Sequence, residues 1–230
     1  MRKLLNSLYI TDETVWLALD GENIVCKGEE GEKFRMPFVN IEEIFCFSYL
    51  GCSPALMGKC ADLGIALNFI SPQGEFLARI QGKTRGNILL RKAQFEQFAD
   101  PPILLAQNTV AAKVYNTLFL IKRSLRDYPQ IDEGGEVKKC IEYLKNEIAR
   151  IYETEDRDSL MGIEGNCAKE YFEIFDKLIL AQKDDFYLIK RTKRPPLDKV
   201  NAMLSYLYTI MTRSYTSALE SVGLDSCYGY

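Results

Sequence analysis

The sequence predicts an α+β protein, with an N-terminal β-sandwich-like domain followed by an all-α C-terminal domain. Two observations carry that prediction. Apolar residues alternate with a period of two through the first 80 residues, and from about residue 87 onward the period changes to about 3.6 and stays there. The stretch Gln81-Gly82-Lys83-Thr84-Arg85-Gly86 lies at the change, so the domains are expected at 1–80 and 88–230 with a hinge at 81–87.

In chain order, Leu4 to Ile10 reads as a strand. Val15 to Leu19 and Ile24 to Cys26 flank Asp20-Gly21-Glu22-Asn23, a hairpin-turn composition, and further strands are expected at Lys33 to Phe38 and Ile44 to Ser48. A short helix over about 53–63 follows, with Ser53 as N-cap, Pro54 at the first helical position and Gly64 as terminator. Ile65 to Ile70 and Glu75 to Ile80 then pair across Ser71-Pro72-Gln73-Gly74. Beyond the hinge, helices are expected at 87–98, 103–126, 135–152, 160–182 and 198–221, the third strongly acidic along a solvated face.

With 230 residues, 47% hydrophobic and 27% charged, the chain is long enough for one large domain or two small ones. No apolar run approaches the ~20 residues that span a bilayer, and Leu4-Leu5-Asn6-Ser7-Leu8-Tyr9 is too short and polar for a signal peptide, so a cytoplasmic protein without a membrane partner is expected. Seven cysteines with no Cys-x-x-Cys pair fit reduced, mostly buried thiols. There is no histidine, which excludes a Ser/His or Cys/His nucleophilic site and any histidine-ligated metal made by this chain alone.

The net charge of −3 is unevenly laid out. Residues 1–78 carry 6 basic and 11 acidic side chains, whereas 79–126 carry 9 basic and 2 acidic, a local charge of +7. Within that segment Arg79, Lys83, Arg85, Arg91 and Lys92 suit a phosphate backbone, or form a solvated face, or pair with the acidic β domain. A second cluster, Lys190, Arg191, Lys193 and Arg194, precedes Pro195-Pro196-Leu197-Asp198, where Asp198 is placed to cap the last helix. It is either a DNA-positioning element or a charged interhelix loop. Phe172, Phe175, Tyr206 and Tyr208 read as core or interface rather than base-stacking platforms.

Glu164 is the candidate for chemistry. Counting from it, Ala168, Tyr171, Phe175 and Leu178 fall on one helical stripe, so the carboxylate is expected on an apolar face, where it needs a hydrogen-bonding, cationic or metal partner. Gly162 and Gly165 beside it suggest that something approaches the backbone. The alternative is a solvated glutamate in the first turn of its helix. Asp176, Asp184 and Asp185 lack the spacing of a closed metal cage, but Mg²⁺ needs only one or two protein carboxylates.

Motifs along nearly the whole chain resemble one family. They are Leu4-Leu5-Asn6-Ser7-Leu8-Tyr9, Leu17-Ala18-Leu19-Asp20-Gly21-Glu22-Asn23, Ser53-Pro54-Ala55-Leu56-Met57-Gly58, the stretch from Gly64 to Leu90, Gly162-Ile163-Glu164-Gly165, and Arg194-Pro195-Pro196-Leu197-Asp198-Lys199-Val200-Asn201-Ala202. Together they are similar to the CRISPR-associated endonuclease and integrase called Cas one, in the version that accompanies type I-C systems. The resemblance implies the two-domain fold and a homodimer formed through the β domain. It also implies a complex with a small second Cas protein that inserts captured DNA during spacer acquisition. Glu164 matches the family's metal-ligating and catalytic glutamate, with Mg²⁺ or Mn²⁺ as cofactor.

The family completes its site with a histidine and an acid beyond the motif that reads here Ala218-Leu219-Glu220-Ser221-Val222-Gly223-Leu224-Asp225; neither is present in this chain. The expectation is therefore a truncated chain with the family's fold, weak or absent metal binding, exposed apolar surface and little activity alone. The alternatives are a non-catalytic DNA-binding or scaffold subunit, and a regulator with a β sensor domain, for which no helix-turn-helix signature is evident.

Overall fold

The computed structural model describes residues 6–80, 87–98 and 102–228. Strands come first: β1 (Ser7–Ile10), β2 (Trp16–Asp20), β3 (Asn23–Gly28), β4 (Gly31–Pro37), β5 (Glu43–Cys46), then helix α1 (Pro54–Leu63), β6 (Ala66–Ile70) and β7 (Phe76–Ile80). Helices follow: α2 (Ile88–Phe98), α3 (Ile103–Asp127), α4 (Glu136–Glu153), α5 (Arg157–Ile174) and α6 (Lys199–Ser221). The chain divides into two compact units, Met1–Gln94 with Tyr206–Cys227, and Phe95–Ser205 with Tyr228–Tyr230. Of the hinge expected at 81–87, residues 81–86 lie outside the described residues.

In the first unit, β2, β3 and β4 form an antiparallel sheet. The predicted turn at 20–23 is present, with Gly21 at a φ of 57° that glycine adopts without steric cost. A second sheet has the order β1-β5-β6-β7, in which β1–β5 and β5–β6 are parallel and β6–β7 is the expected hairpin. Parallel neighbours need a crossover, and α1 supplies it between β5 and β6. The predicted caps hold α1 in place: Ser53 Oγ accepts from the Leu56 amide at 3.2 Å, and Gly64 turns left-handed at φ 71°. Leu17 and Ile24 of one sheet, Ile44 and Leu67 of the other, and Leu56 and Cys60 of α1 are fully buried together. Each such aliphatic side chain contributes about 1.5–3 kcal/mol by leaving water. The far face of the second sheet packs Phe45, Phe47 and Ile70 against Ile210 of α6.

The six buried cysteines are unpaired, as their spacing predicts, and burial pushes the Cys60 thiol up to about 11.

In the second unit, α3, α4 and α5 share one core. Val114, Leu118 and Ile121 of α3 meet Val137, Cys140, Leu144 and Ile151 of α4 and Leu160, Ile163, Cys167 and Ile174 of α5, at spacings of three, four and seven that make one face of each helix. The reversal between α3 and α4 rests on a buried carboxylate. After a 3₁₀ turn over Pro129–Asp132, Asp132 Oδ1 accepts from the amides of Val137 at 2.8 Å and Lys138 at 3.2 Å, satisfying two free donors at the start of α4. Asp132 Oδ2 lies 3.4 Å from the Lys138 ammonium. Burial pushes the Asp132 carboxyl up, but these amides and the ammonium outweigh it and leave its pKa below the usual carboxylate range.

One helix differs from its expected span. Instead of 160–182, α5 starts at Arg157, where Asp156 caps it by accepting from the Ser159 amide at 2.8 Å, and ends at Ile174 in a 3₁₀ turn over Phe175–Leu178. The early end has a local cause. Asp176 Oδ1 accepts from the Leu188 amide at 2.9 Å and Oδ2 from Lys183 at 2.6 Å, which folds the following segment back and offers an alternative to helix continuation.

The connection into α6 is organised by Asn201, which is fully buried. Its Oδ1 accepts from the Thr192 amide at 2.8 Å and Arg191 Nη1 at 2.9 Å, and its Nδ2 donates to the Lys190 carbonyl at 2.9 Å and Asp198 Oδ2 at 2.6 Å. Asp198 caps α6 as predicted, accepting from the Asn201 amide at 2.7 Å.

Asp132→Ala should lower stability by about 1–3 kcal/mol at neutral pH in urea denaturation. Because the native carboxyl titrates lower than in the unfolded chain, that difference should be fully present above the ordinary carboxylate range and shrink as pH falls through the lower native value. A parent–variant difference that stays constant into acid contradicts the assignment. Asn201→Ala strands buried donors and should cost at least about 2 kcal/mol, with faster proteolysis between residues 179 and 198; unchanged melting and cleavage would show that the network is dispensable.

Candidate functional site

Glu164 is the eighth residue of α5, in its third turn, because the helix begins at Arg157. The first-turn alternative therefore does not apply. Nor does Glu164 lie on the core stripe, which runs through Leu160, Ile163, Cys167 and Ile174. It sits at the border of that face with its side chain 35% exposed, held by an ion pair between its Oε1 and Lys113 Nζ of α3. The expected partner of the carboxylate is thus a cation. Lys113, fifty-one residues earlier, carries no sequence signal marking it as that partner.

The two glycines beside Glu164 do not accommodate a close neighbour. A Cβ added to Gly162 or Gly165 meets no neighbouring group within 4 Å. Gly162 instead opens onto a cleft of about 550 Å³, lined also by Arg150, Glu153, Asp156, Ser159 and Asn166. Glu147 of α4, buried and paired to Arg150 at 2.6 Å, is a further acid of this neighbourhood. Burial first, then the negative charge of Glu147, pushes the Cys167 thiol up to about 11, with Glu164 adding to the same effect. Cys167 is accordingly a protonated, inert thiol near neutral pH.

An ammonium already balances Glu164, and among the described residues no three His, Cys, Asp or Glu side chains converge. Asp176 is used by Lys183 and the Leu188 amide, and Asp185 pairs with Lys199.

The basic residues fall into groups. Lys83 and Arg85 lie outside the described residues. Arg79 pairs with Glu220, and Arg91 Nε donates to the Gly223 carbonyl at 3.0 Å, so both serve the packing of the first unit. Lys92 is exposed. Arg191 is half-buried and fastened to Asn201 and Ser205, whereas Lys190, Lys193 and Arg194 are exposed around it. Phe172 and Phe175 cluster with Tyr171, and Tyr206 leans on Phe47, as core-type contacts; Tyr208 is 53% exposed. No helix among the described residues is long and apolar enough to cross a membrane.

Residues 8–230 match the model of the family described as CRISPR associated protein Cas1. The "CRISPR-associated endonuclease Cas1 1" of Chlorobaculum tepidum is 40% identical over 232 residues, covering 100% of this chain and 68% of the relative. Among solved structures, "Casposase bound to integration product" superposes with a TM-score of 0.75 at 19% identity, covering 96% of this chain and 63% of that one. A "Cas6-RT-Cas1--Cas2 complex" gives 0.72 at 19% identity, covering 95% and 23%. At such identities the two structures speak for the fold alone, and it is the strands-then-helices fold described above. The family match and the relative at 40% identity agree, and on them the chain belongs to the CRISPR-associated Cas1 endonuclease family.

Proposed function

We propose that this chain is a DNA-handling subunit of CRISPR adaptation that binds DNA, contributes one catalytic carboxylate, Glu164, and does not cut or join DNA by itself. The observation that carries the reading is Glu164. It stands within the Gly162-Ile163-Glu164-Gly165 motif of a chain matched to the family over residues 8–230, yet its charge is balanced by Lys113. Phosphodiester hydrolysis or transfer in this family is expected to use Mg²⁺ or Mn²⁺. A divalent ion supplies Lewis-acid stabilisation of the developing charge, and fixing it takes more than one protein ligand. The chain has no histidine to offer, and no three-ligand group exists among its described residues. On this reading Lys92, Lys190, Lys193 and Arg194, which are exposed, meet phosphates, and Arg191 and Asn201 keep the second cluster in shape.

The partners proposed are DNA, a second copy of the chain, and the small second Cas protein. The solved structure described as a complex with Cas2 supports the last for a protein of this fold. The second reading is a non-catalytic DNA-binding or scaffold subunit that keeps the dimer and the basic surface and uses the Lys113–Glu164 pair only to join α3 to α5.

Two experiments test this. Incubated with Mg²⁺ or Mn²⁺, the full chain should shift branched and single-stranded DNA in gels without cleaving either, with binding unaffected by chelation or by Glu164→Ala. Robust cleavage that Glu164→Ala abolishes would overturn the proposal. Light scattering should give twice the 26.3 kDa chain mass; a monodisperse monomer removes the homodimer.

A further inference from the structure

Two asparagines, Asn68 and Asn201, are fully buried among the described residues, and they are treated in opposite ways. Asn201 makes hydrogen bonds through both its amide oxygen and its amide nitrogen. Asn68 makes none: neither its Oδ1 nor its Nδ2 has a partner among the described residues. An amide that leaves water and gains no hydrogen bond is unfavourable, so its presence in the fold needs a physical reason.

The strand fixes where Asn68 stands in the first unit. Side chains alternate along β6, with Leu67 and Phe69 entering the core shared with α1, and Asn68 and Ile70 facing the other way. Asn68 is in register with Phe45 of β5 and Arg79 of β7. The end of the chain covers that face: Phe45, Phe47 and Ile70 cluster with Ile210 of α6, and Arg79 pairs with Glu220. Most of the attachment is polar or aromatic. Ser214 Oγ donates to the Glu43 carboxylate, 3.0 Å from each oxygen, and Tyr206 leans on Phe47. Arg213 lays its guanidinium over the Phe76 ring at 3.7 Å, with its Nε buried and unpartnered among the described residues. The opposite face of the same sheet is closed by Leu17, Ile24, Leu56 and Leu67, all fully buried and apolar. One face is sealed, and the other is held by contacts that water can replace.

We infer that residues 206–221 of α6 form a releasable strap, which lifts from the second sheet and returns as a unit while the strands and α1 stay folded, with Asn68 setting how often it lifts. In the lifted state the Asn68 amide and Arg213 Nε regain water, which offsets the exposure of Phe45, Phe47 and Ile70. A permanently docked α6 would be better served by leucine at position 68, which has as many side-chain atoms and no hydrogen bond to lose. This conformational device goes beyond the proposed function and does not depend on it.

The test is hydrogen–deuterium exchange of the full chain, comparing the amides of 206–217 with those of β3 and β6. In the parent, the α6 amides should share a common protection at least about tenfold below that of the strands. Ile44→Val, a change inside the sealed face, should speed the strand amides by about two- to tenfold and leave the α6 amides unchanged, because Ile44 stays buried when the strap lifts. Asn68→Leu, or Asn68→Val if the longer side chain does not fit, should slow the α6 amides by about tenfold. Slower α6 exchange in either variant supports the inference; unchanged or faster exchange in both overturns the role of Asn68. Equal protection of α6 and the strands in the parent, or an equal response of both to Ile44→Val, shows that α6 leaves only on global unfolding and overturns the strap. Rates that rise steadily toward residue 221 are fraying from the helix end and overturn it too.

Discussion

The helical unit depends on a reversal of direction between two long helices, and that reversal depends on one buried carboxylate. Without it the amides of Val137 and Lys138 at the start of α4 would lose that acceptor, at a cost of about 1–3 kcal/mol for a group left buried and unpaired. Asp132 removes part of that cost by accepting from two amides at once, and Lys138 supplies the balancing charge. With α4 folded back on α3, the groove that receives α5 exists, and α5 brings Glu164 beside Lys113. The geometry at the candidate site is therefore a consequence of helix capping some thirty residues earlier in the chain.

Much of this architecture is legible from the residues. Alternation locates the strands, and the Ser53-Pro54 and Gly64 signals bound α1 to the residue, because caps and left-handed glycines are local chemistry. What local chemistry does not encode is which polar side chain faces which partner. Asp176 reads as one more acid on a helix, yet it stops α5 by turning toward Leu188 and Lys183. The motif around Glu164 identifies the residue but not its setting. The apolar positions 168, 171, 175 and 178 are half-buried, and the true core stripe is one residue earlier, at Ile163 and Cys167. A one-residue error rotates a helical position by about 100°, enough to move a carboxylate from core to border. Asn201 and Lys113 act across chain separations that no periodicity reports.

Electrostatics divides the basic residues by role more sharply than their sequence clustering does. Arg79, Arg91 and Arg191 sit in two runs of cations, but each has its guanidinium committed within its own unit. Guanidinium forks suit such fixed, multi-donor contacts. The lysines of the same runs, Lys92, Lys190 and Lys193, are exposed. Among the described residues of these two runs, the arginines are the ones tied into the fold, Arg194 excepted, and the lysines are exposed.

The composition of the first unit also bears on the order of synthesis. Its strands come from the beginning of the chain, but Ile210, Ser214 and Glu220, which pack on or bond to that sheet, come from beyond residue 205. The helical unit draws almost entirely on residues 95–205. A ribosome making the chain from its N-terminus therefore releases α3, α4 and α5 before the β unit has received its final helix. The second sheet, with parallel pairing and a hydrogen bond reaching 171 residues ahead, must wait with its Phe45–Ile70 face uncovered. The part of the protein that is made first is the part that finishes folding last.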